Sequence, residues 1–146
     1  MATLTVHPLG HSDRPEWKRL ARGYKDFYED PVADEVYDEV WTRLTADGPV
    51  HGLGCRSDGA LVGIAHFLFH AHSWQGEVCY LQDLFTLPEA RGQGVARALI
   101  DAAAADARER DCAAFYWLTK ADNEVACALY DKVARNKGFI RYDYPL

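Results

Sequence analysis

The sequence has no surplus of basic residues and no long apolar run. Its 146 residues contain 16 Lys and Arg against 22 Asp and Glu, a formal net charge of −6. This balance argues against a nucleic-acid partner, because such proteins present a basic face. No apolar stretch approaches the roughly 18 residues of a membrane span, and the first residues lack the pattern of a secretory signal. We therefore expect a cytoplasmic protein with neither a membrane nor a nucleic-acid partner.

Cysteine is scarce, and the cysteines lack the CxxC spacing of many metal sites. All four lie in apolar patterns, which favours buried free thiols in a reducing compartment; they are Cys55, Cys79, Cys112 and Cys127. Three histidines alternate along one predicted strand, at positions 66, 70 and 72. Strand positions two apart are separated by roughly 6–7 Å, and no fourth ligand has metal-site spacing. We therefore predict no metal site.

The stretch from Tyr80 to Leu99 is typical of a strand, a tight glycine turn and the start of a helix. Residues 81–86 favour a strand, and Pro88 ends it because proline offers no donor to a ladder. Residues 91–94 (RGQG) follow, and their two glycines let the backbone come close to a ligand. The free N–H groups and positive dipole end of the next helix attract anions, so the turn is suited to phosphate.

Three kinds of phosphate site compete for this turn. A Walker A loop requires Lys followed by Ser or Thr, and no lysine follows Gly94. A Rossmann fingerprint requires a third glycine, where this chain has Arg97, and an early βαβ unit, whereas this turn lies past mid-chain. The third is a site for the pyrophosphate of coenzyme A. Here Arg91-x-x-Gly94-x-Ala96 resembles the Arg/Gln-x-x-Gly-x-Gly/Ala signature of the GNAT family of N-acetyltransferases.

Two further stretches carry the same resemblance in the order and spacing of that family. Residues 81–85 (LQDLF) precede the turn, and residues 123–130 (NEVACALY) resemble the family's Asn-x-x-Ala-x-x-x-Tyr helix. The likeness is greatest to a group that includes spermidine/spermine acetyltransferases and acetyltransferases once grouped with histone acetylation. It implies one α/β GNAT domain over residues 1–146. Its mixed, twisted sheet is flanked by helices in the order β-α-α-β-β-β-α-β-α-β, which the predicted elements follow.

The resemblance also implies where the cosubstrate acetyl-CoA binds. Main-chain groups of the central strand would contact the pantetheine arm, and the turn with the helix start would hold the pyrophosphate. The implied set is Leu84, Phe85, Thr86, Arg91, Gly92, Gln93, Gly94, Val95, Ala96, Arg97 and Asn123.

Acetyl transfer to an amine requires groups that accept and donate protons. A primary amine is almost fully protonated at pH 7, and only its neutral form attacks a thioester. Asp83 is the predicted catalytic carboxylate, and His66 and His70 are further candidates for accepting the proton or holding the cation. The resemblance implies Tyr130 as the acid that protonates the departing thiolate. The related group commonly has Glu-Asp in this strand, where this chain has Gln82 before Asp83, so one carboxylate is replaced by an amide.

The predicted reaction is transfer of the acetyl group from acetyl-CoA to a primary amine, by direct attack in a ternary complex. Residues 26–39 are rich in acid, and form either a solvated helix face or a negative lip for a small cationic amine such as a polyamine. The alternatives are a protein lysine or N-terminal acetyltransferase and a non-catalytic acyl-CoA-binding module. The predicted acceptor-binding residues are Tyr28, Glu29, His70, Trp74 and Gln82.

Residues 139–144 (FIRYDY) predict a final strand rich in exposed aromatic side chains. No later strand follows to cover its edge, and an uncovered edge pairs readily with another chain. We therefore expect a homodimer formed through this C-terminal strand.

Overall fold

Five strands form one mixed sheet whose spatial order follows the chain. The computed structural model describes residues 2–146. Neighbours from the first to the fourth strand pair antiparallel, and the fifth pairs parallel with the fourth. The predicted mixed sheet, antiparallel early and parallel at the central strand, is therefore confirmed. The strands are β1 (Leu4–Pro8), β2 (Val50–Ser57), β3 (Ala60–His70), β4 (Val78–Thr86) and β5 (Ala114–Trp117).

Four α-helices accompany the sheet, and the first two pack on the face opposite the third. Consecutive strand residues point to opposite faces: His66 of β3 contacts Trp17 of the first helix, whereas Gly63 turns toward Val95 of the third. None of these described helices combines the length and apolar character that a membrane crossing needs. The helices are α1 (Arg14–Phe27), α2 (Asp34–Thr45), α3 (Val95–Glu109) and α4 (Glu124–Val133), with 3-10 turns at His11–Asp13 and Pro88–Ala90.

The face under α1 and α2 is built from aromatic side chains. Trp17 is 1% exposed, and its ring centroid lies 5.0 Å from that of Trp41, so the two helices share one apolar seam. The helix α1 approaches β4 closely at Gly23, where a Cβ atom would lie 2.8 Å from Cζ of Phe85. A larger residue there would force the helix away from the sheet, because the interior is close-packed.

An ion-pair network fastens the start of α1 to the β2–β3 hairpin. The Arg56 guanidinium contacts the carboxylates of Asp13 and Glu16, and Glu16 accepts a hydrogen bond from the Leu61 N–H at 2.9 Å. Asp13 also accepts from the Gly10 N–H at 2.8 Å and is 4% exposed. Burial by itself raises the pKa of Asp13, but the hydrogen bonds from Gly10 and Arg56 outweigh burial and hold the pKa below its usual value.

The predicted final strand is wrong. After Val133 the described chain contains neither helix nor strand, and its large apolar side chains at 139, 140, 142 and 144 are 75–89% exposed. A strand forms only when a sheet edge accepts its ladder of hydrogen bonds, and the edge strand β5 has just four residues. The observed order therefore stops at α4, as β-α-α-β-β-β-α-β-α, and otherwise confirms the prediction.

We predict that Arg56→Met lowers the free energy of unfolding by about 2–4 kcal/mol, because the buried Asp13 carboxylate loses its charged partner. Urea denaturation at neutral pH measures the change. The folded-state pKa of Asp13 is depressed, so this stabilisation is present above the unfolded pKa of about 3.9. It is lost as the pH falls through the folded pKa, and the difference between wild type and variant must shrink there.

Arg97→Met is the matched control for this substitution. Arg97 pairs with Asp101 one turn along α3, and the two side chains are 53% and 61% exposed. Losing such a surface pair costs about 0.5 kcal/mol or less. If Arg56→Met destabilised the protein no more than Arg97→Met, the network would not fasten α1 to the hairpin.

Candidate functional site

The turn before α3 presents N–H groups at an open helix start. Gly92 and Gly94 have φ angles of +79° and +86°, a region that favours glycine. The Gly94 carbonyl accepts from the Ala98 N–H at 3.0 Å, so the N–H groups of residues 95–97 precede the helical ladder and point outward. The positive end of the helix dipole lies behind them. This geometry fits a phosphate group.

A basic groove of about 890 Å³ lies between α1 and the Pro88–Ala90 turn. Phe27 and Phe85 give it an apolar floor, and the Arg91 guanidinium carbon lies 5.6 Å and 6.0 Å from the centroids of these rings. Of its cations, the sequence analysis predicted only Arg91. The other three lie on the face of α1 opposite Trp17, and this polar helical spacing is the signal that could have identified them. The basic lining residues are Lys18, Arg19, Arg22 and Arg91.

The parallel pairing of β4 with β5 stops halfway along β4. Residues 78–81 pair with residues 114–117, and no strand of the described chain pairs with residues 82–86 on that side. Main-chain N–H and C=O groups on this edge are therefore open to a ligand. The predicted pantetheine contacts, residues 84–86, belong to this open half.

A β-bulge lies where the paired half of β4 meets the open half. His66 of β3 pairs with Asp83, but the next residue, Phe67, pairs with Leu81, so Gln82 has no partner in this ladder. Both Gln82 and Asp83 line a cavity of about 270 Å³ between α1, α2 and the sheet. Sequence reasoning predicted both residues but not the bulge. This cavity is called the acceptor cavity because of the role proposed for it below, and its walls include Trp17, Tyr24, Val36, Tyr37, Val40 and Ile64.

Asp83 is the outer end of a chain of polar contacts that begins in the core. The Trp17 indole N–H donates to Nε2 of His66 at 3.0 Å, and Nδ1 of His66 lies 2.9 Å from Oδ2 of Asp83. Burial by itself raises the pKa of Asp83, but the His66 hydrogen bond, together with interactions of Tyr24 and Lys25, outweighs burial and holds the pKa below its usual value. Asp83 is therefore a carboxylate at neutral pH.

Two tyrosines are near this region: Tyr28 directly follows α1, and Tyr130 lies on α4. The Tyr130 ring packs against Trp117 of β5, with 5.3 Å between the ring centroids. Burial, and then the neighbouring Tyr28, raises the pKa of Tyr130 to about 12, so its hydroxyl keeps its proton at neutral pH. Burial, and then the Asp83 carboxylate, raises the pKa of Tyr28. Because Tyr28 is coupled to both, the structure groups Tyr28, Asp83 and Tyr130 in one region.

His70 and Trp74 do not join this group. His70 is four residues along β3 from His66, about 13 Å at the usual rise of a strand, and its Nε2 lies 2.9 Å from the Tyr116 hydroxyl. Trp74 is 92% exposed in the loop after β3. Within residues 2–146 no three His, Cys, Asp or Glu side chains are arranged to hold a metal ion.

Asn123 and Glu29 occupy positions at helix ends. The Asn123 side-chain oxygen accepts from the Ala126 N–H at 3.4 Å and caps α4, which gives this residue a structural role in the helix that carries Tyr130. Glu29 lies just beyond α1 at a φ of +53° and is exposed, so it lies at the surface next to Tyr28.

Much of the acidic segment at residues 26–39 is paired with cations. An acid that already has a basic partner attracts a distant cation less, because the two charges largely cancel. The geometry therefore favours the solvated helix face over a negative lip. The pairs are Arg14 with Asp38, Arg22 with Asp34, Lys25 with Asp30, and Arg43 with Glu39.

The family model described as the acetyltransferase (GNAT) family matches residues 17–134. The D-amino-acid N-acetyltransferase of Saccharomyces cerevisiae is 32% identical over 144 residues, covering 95% of this chain and 89% of the relative. The thialysine N-epsilon-acetyltransferase of Mus musculus is 33% identical over 146 residues, covering 89% of this chain and 82% of the relative.

Solved structures share the fold over nearly the whole chain. A ribosomal-protein-alanine N-acetyltransferase from Brucella melitensis has a TM-score of 0.82 at 25% identity, with 99% of both chains covered. An aminoglycoside N-acetyltransferase in complex with CoA has a TM-score of 0.83 at 18% identity, covering 100% of this chain and 96% of the other, and shows the fold alone. The predicted resemblance is confirmed: the chain belongs to the acetyltransferase (GNAT) family and is an N-acetyltransferase that uses acetyl-CoA.

Proposed function

We propose that this single-domain enzyme acetylates a small amine held in the acceptor cavity, by direct attack on acetyl-CoA in a ternary complex. One observation carries the proposal: the open half of β4 connects the phosphate-binding turn to Asp83. A cosubstrate lying along residues 84–86 would bring its acyl end to the bulge, where the acceptor cavity opens. The two substrates would then meet on one strand, which supplies the proximity that a bimolecular transfer needs.

The proposed acetyl-CoA site divides into three parts. The N–H groups of residues 95–97 hold the pyrophosphate, and the flexible backbone at Gly92 and Gly94 lets it approach. Arg91 supplies positive charge for the remaining phosphate, whereas the α1 cations of the groove already pair with acids: Lys18 with Asp38, Arg19 with Glu89 and Arg22 with Asp34. Main-chain groups of residues 84–86 bind the pantetheine arm. Acetyl-CoA supplies the activated acetyl group, and each of these residues acts by binding and orienting it.

Two side chains of the chain handle charge and protons in this proposal. Asp83 attracts the ammonium form of the acceptor and helps to accept its proton, directly or through water. Tyr130 keeps its hydroxyl proton at neutral pH and donates it to the departing thiolate. Gln82 occupies the position where the related group commonly has a carboxylate. Asp83 is therefore the one acidic residue that β4 contributes to the lining of the cavity.

The proposed acceptor is a small cationic amine such as a polyamine. Support comes from the Asp83 carboxylate and from the aromatic ring of Tyr24 in the same cavity, because aromatic faces attract ammonium groups. A second candidate is an amino acid: Lys25 and Arg43 also line the cavity and can meet an acceptor carboxylate. Both curated relatives described above are named for amino-acid substrates.

A thiol-release assay tests the proposed function. Acetyl-CoA is offered with spermidine, several D- and L-amino acids, thialysine and a lysine-containing peptide, and we expect release with a small amine and little with the peptide. If spermidine is the acceptor, turnover falls with salt, because attraction between exposed charges is screened beyond about 10 Å at 0.1 M. Faster turnover of the peptide would favour a protein acetyltransferase. No release with any acceptor would favour a non-catalytic acyl-CoA-binding module.

Gly94→Asp and Gly94→Asn form a matched pair that tests the phosphate-binding turn. Both substitutions carry the same strain at a φ of +86° and add side chains of nearly equal size, so they differ by one negative charge. We expect the Asp variant to bind acetyl-CoA about tenfold more weakly than the Asn variant, since an anion at a helix start repels the pyrophosphate. Calorimetry measures both dissociation constants. Equal affinities would place the pyrophosphate elsewhere.

Tyr130→Phe tests the proposed acid. The substitution keeps the ring that packs against Trp117 and removes only the hydroxyl. Single-turnover rates should fall by about 10²–10⁴-fold, the usual range for general acid catalysis, while acetyl-CoA affinity and thermal stability change little. Tyr142→Phe, at an exposed position, is the control and should keep the wild-type rate. A near-normal rate for Tyr130→Phe would show that water or another group supplies the proton.

We also propose that two copies of the chain pair through residues 139–144. These residues expose Phe139, Ile140, Tyr142 and Tyr144, a larger apolar surface than a short terminal segment usually leaves to water. A second copy would supply the partner edge that this segment lacks in the single chain. Light scattering at micromolar concentration should give about twice the 16.4 kDa chain mass, and Ile140→Asp should reduce it. A wild-type monomer would contradict the dimer.

The proposal assigns the enzyme to a reducing compartment such as the cytoplasm. Support comes from its four cysteines, which are free thiols, with Cys55 and Cys79 buried. Burial raises the pKa of Cys79 to about 12 and also raises that of Cys55, so both remain in the unreactive thiol form.

A further inference from the structure

We propose that His66 is a positioning residue for the acceptor: its Nδ1 proton, held in place by Trp17, fixes the Asp83 carboxylate toward the acceptor cavity. The inference rests on the proposed function, and extends it from Asp83 to the two residues behind it. His66 is 6% exposed, and its two ring nitrogens already contact Trp17 and Asp83, so neither nitrogen is free to bind an acceptor amine.

The hydrogen bonds of the His66 ring determine where its proton lies. An indole N–H can only donate, and that of Trp17 points at Nε2 of His66 from 3.0 Å, so Nε2 must accept and carries no hydrogen. A neutral imidazole has one N–H, which is then on Nδ1. This proton faces Oδ2 of Asp83 at 2.9 Å. In a doubly protonated ring, the Nε2–H of His66 would face the indole N–H of Trp17, and two donors cannot form a hydrogen bond.

The Asp83 carboxylate therefore carries a negative charge that the neutral His66 ring does not cancel. His66 donates to Asp83 as a neutral group, so the carboxylate keeps its full charge for an acceptor. A carboxylate has about four acceptor positions, and the bond to His66 uses one, which leaves others for an ammonium group. His66 and Asp83 are also register partners across β3 and β4, so the bond fixes the carboxylate at the bulge.

Two substitutions at position 66 separate this role from simple packing. In His66→Asn the side-chain amide nitrogen lies close to the original Nδ1 and can still donate to Asp83. In His66→Gln the longer side chain reaches the region of Nε2, near Trp17, and leaves Asp83 without its donor. Both variants are smaller and polar, so a packing role would make them fail alike.

The kinetic test uses spermidine and lysine as acceptors, with thermal unfolding measured on each variant. We expect His66→Gln to raise the KM for the acceptor by about 10–100-fold, the range for a lost hydrogen bond to a charged group, with the KM for acetyl-CoA unchanged. His66→Asn should recover most of the loss. Equal losses in both variants, or a loss in the acetyl-CoA KM alone, would overturn the proposal.

A double-mutant cycle with Asp83→Asn tests whether His66 acts through Asp83. If it does, His66→Gln adds almost nothing to the acceptor KM once the carboxylate is gone. Independent, multiplicative effects would show that His66 acts by another route and would overturn the proposal.

The proton on His66 can be observed without any activity, which separates failure of this inference from failure of the proposed function. In ¹⁵N NMR of the wild type at neutral pH, the neutral His66 ring should carry its proton on Nδ1 and none on Nε2, and loss of its signals in His66→Gln assigns them. In Trp17→Phe the indole donor is gone, so the tautomer with the proton on Nε2 should also become populated. A wild-type ring protonated on Nε2, or one unaffected by Trp17→Phe, would overturn the proposal.

The other charged and titratable groups around this ring are few. Asp83 lies on β4, Tyr24 and Lys25 on α1, and Tyr37 and Arg43 on α2, and all five line the acceptor cavity with His66. Among these five residues, Asp83 alone forms a hydrogen bond with the His66 ring.

Discussion

The hydrogen bond between His66 and Asp83 connects the core of this protein to the cavity proposed for the acceptor. It joins β3 to β4 at the residue where the bulge begins. Trp17 donates a hydrogen bond to the same His66 ring and packs against Trp41 between α1 and α2. Trp17 reaches His66 only because α1 lies close to the sheet. Gly23 makes this possible, since it has no side chain to collide with Phe85 of β4. Packing and the charge of the site are therefore set by the same contacts.

The open half of β4 is the second feature on which the site depends. The short β5 pairs only with residues 78–81, so the strand that carries Asp83 also has unpaired main-chain groups on its β5 side. The helix start at Gly94 lies beyond its end, and the basic groove beside it adds positive charge where phosphates are expected. In the proposed arrangement, β4 therefore connects a region that would bind the anionic cosubstrate to the Asp83 carboxylate that would attract a cationic acceptor.

Sequence reasoning predicted local features well and long-range contacts poorly. The glycine turn at residues 91–94 and the alternation of strand side chains are local signals, and both led to the family and the sheet. The bulge at Gln82 depends on register against β3, and the ion pairs of the acidic segment depend on how α1 packs on α2. Neither has a local signature. The prediction of the final strand failed for the same reason, since residues 139–144 have strand-forming side chains but pair with no strand in the described part of the chain.

The central claim is that the Asp83 carboxylate draws the acceptor amine to the open half of β4. Its most direct test is kcat/KM for the preferred amine in Asp83→Asn, with acetyl-CoA saturating and its dissociation constant measured on the same protein. The account predicts a loss of about 100-fold or more in kcat/KM for the amine, as for removal of one partner of a charged contact. It also predicts acetyl-CoA affinity within about twofold of wild type. A near wild-type kcat/KM for the amine in a folded Asp83→Asn protein would contradict it.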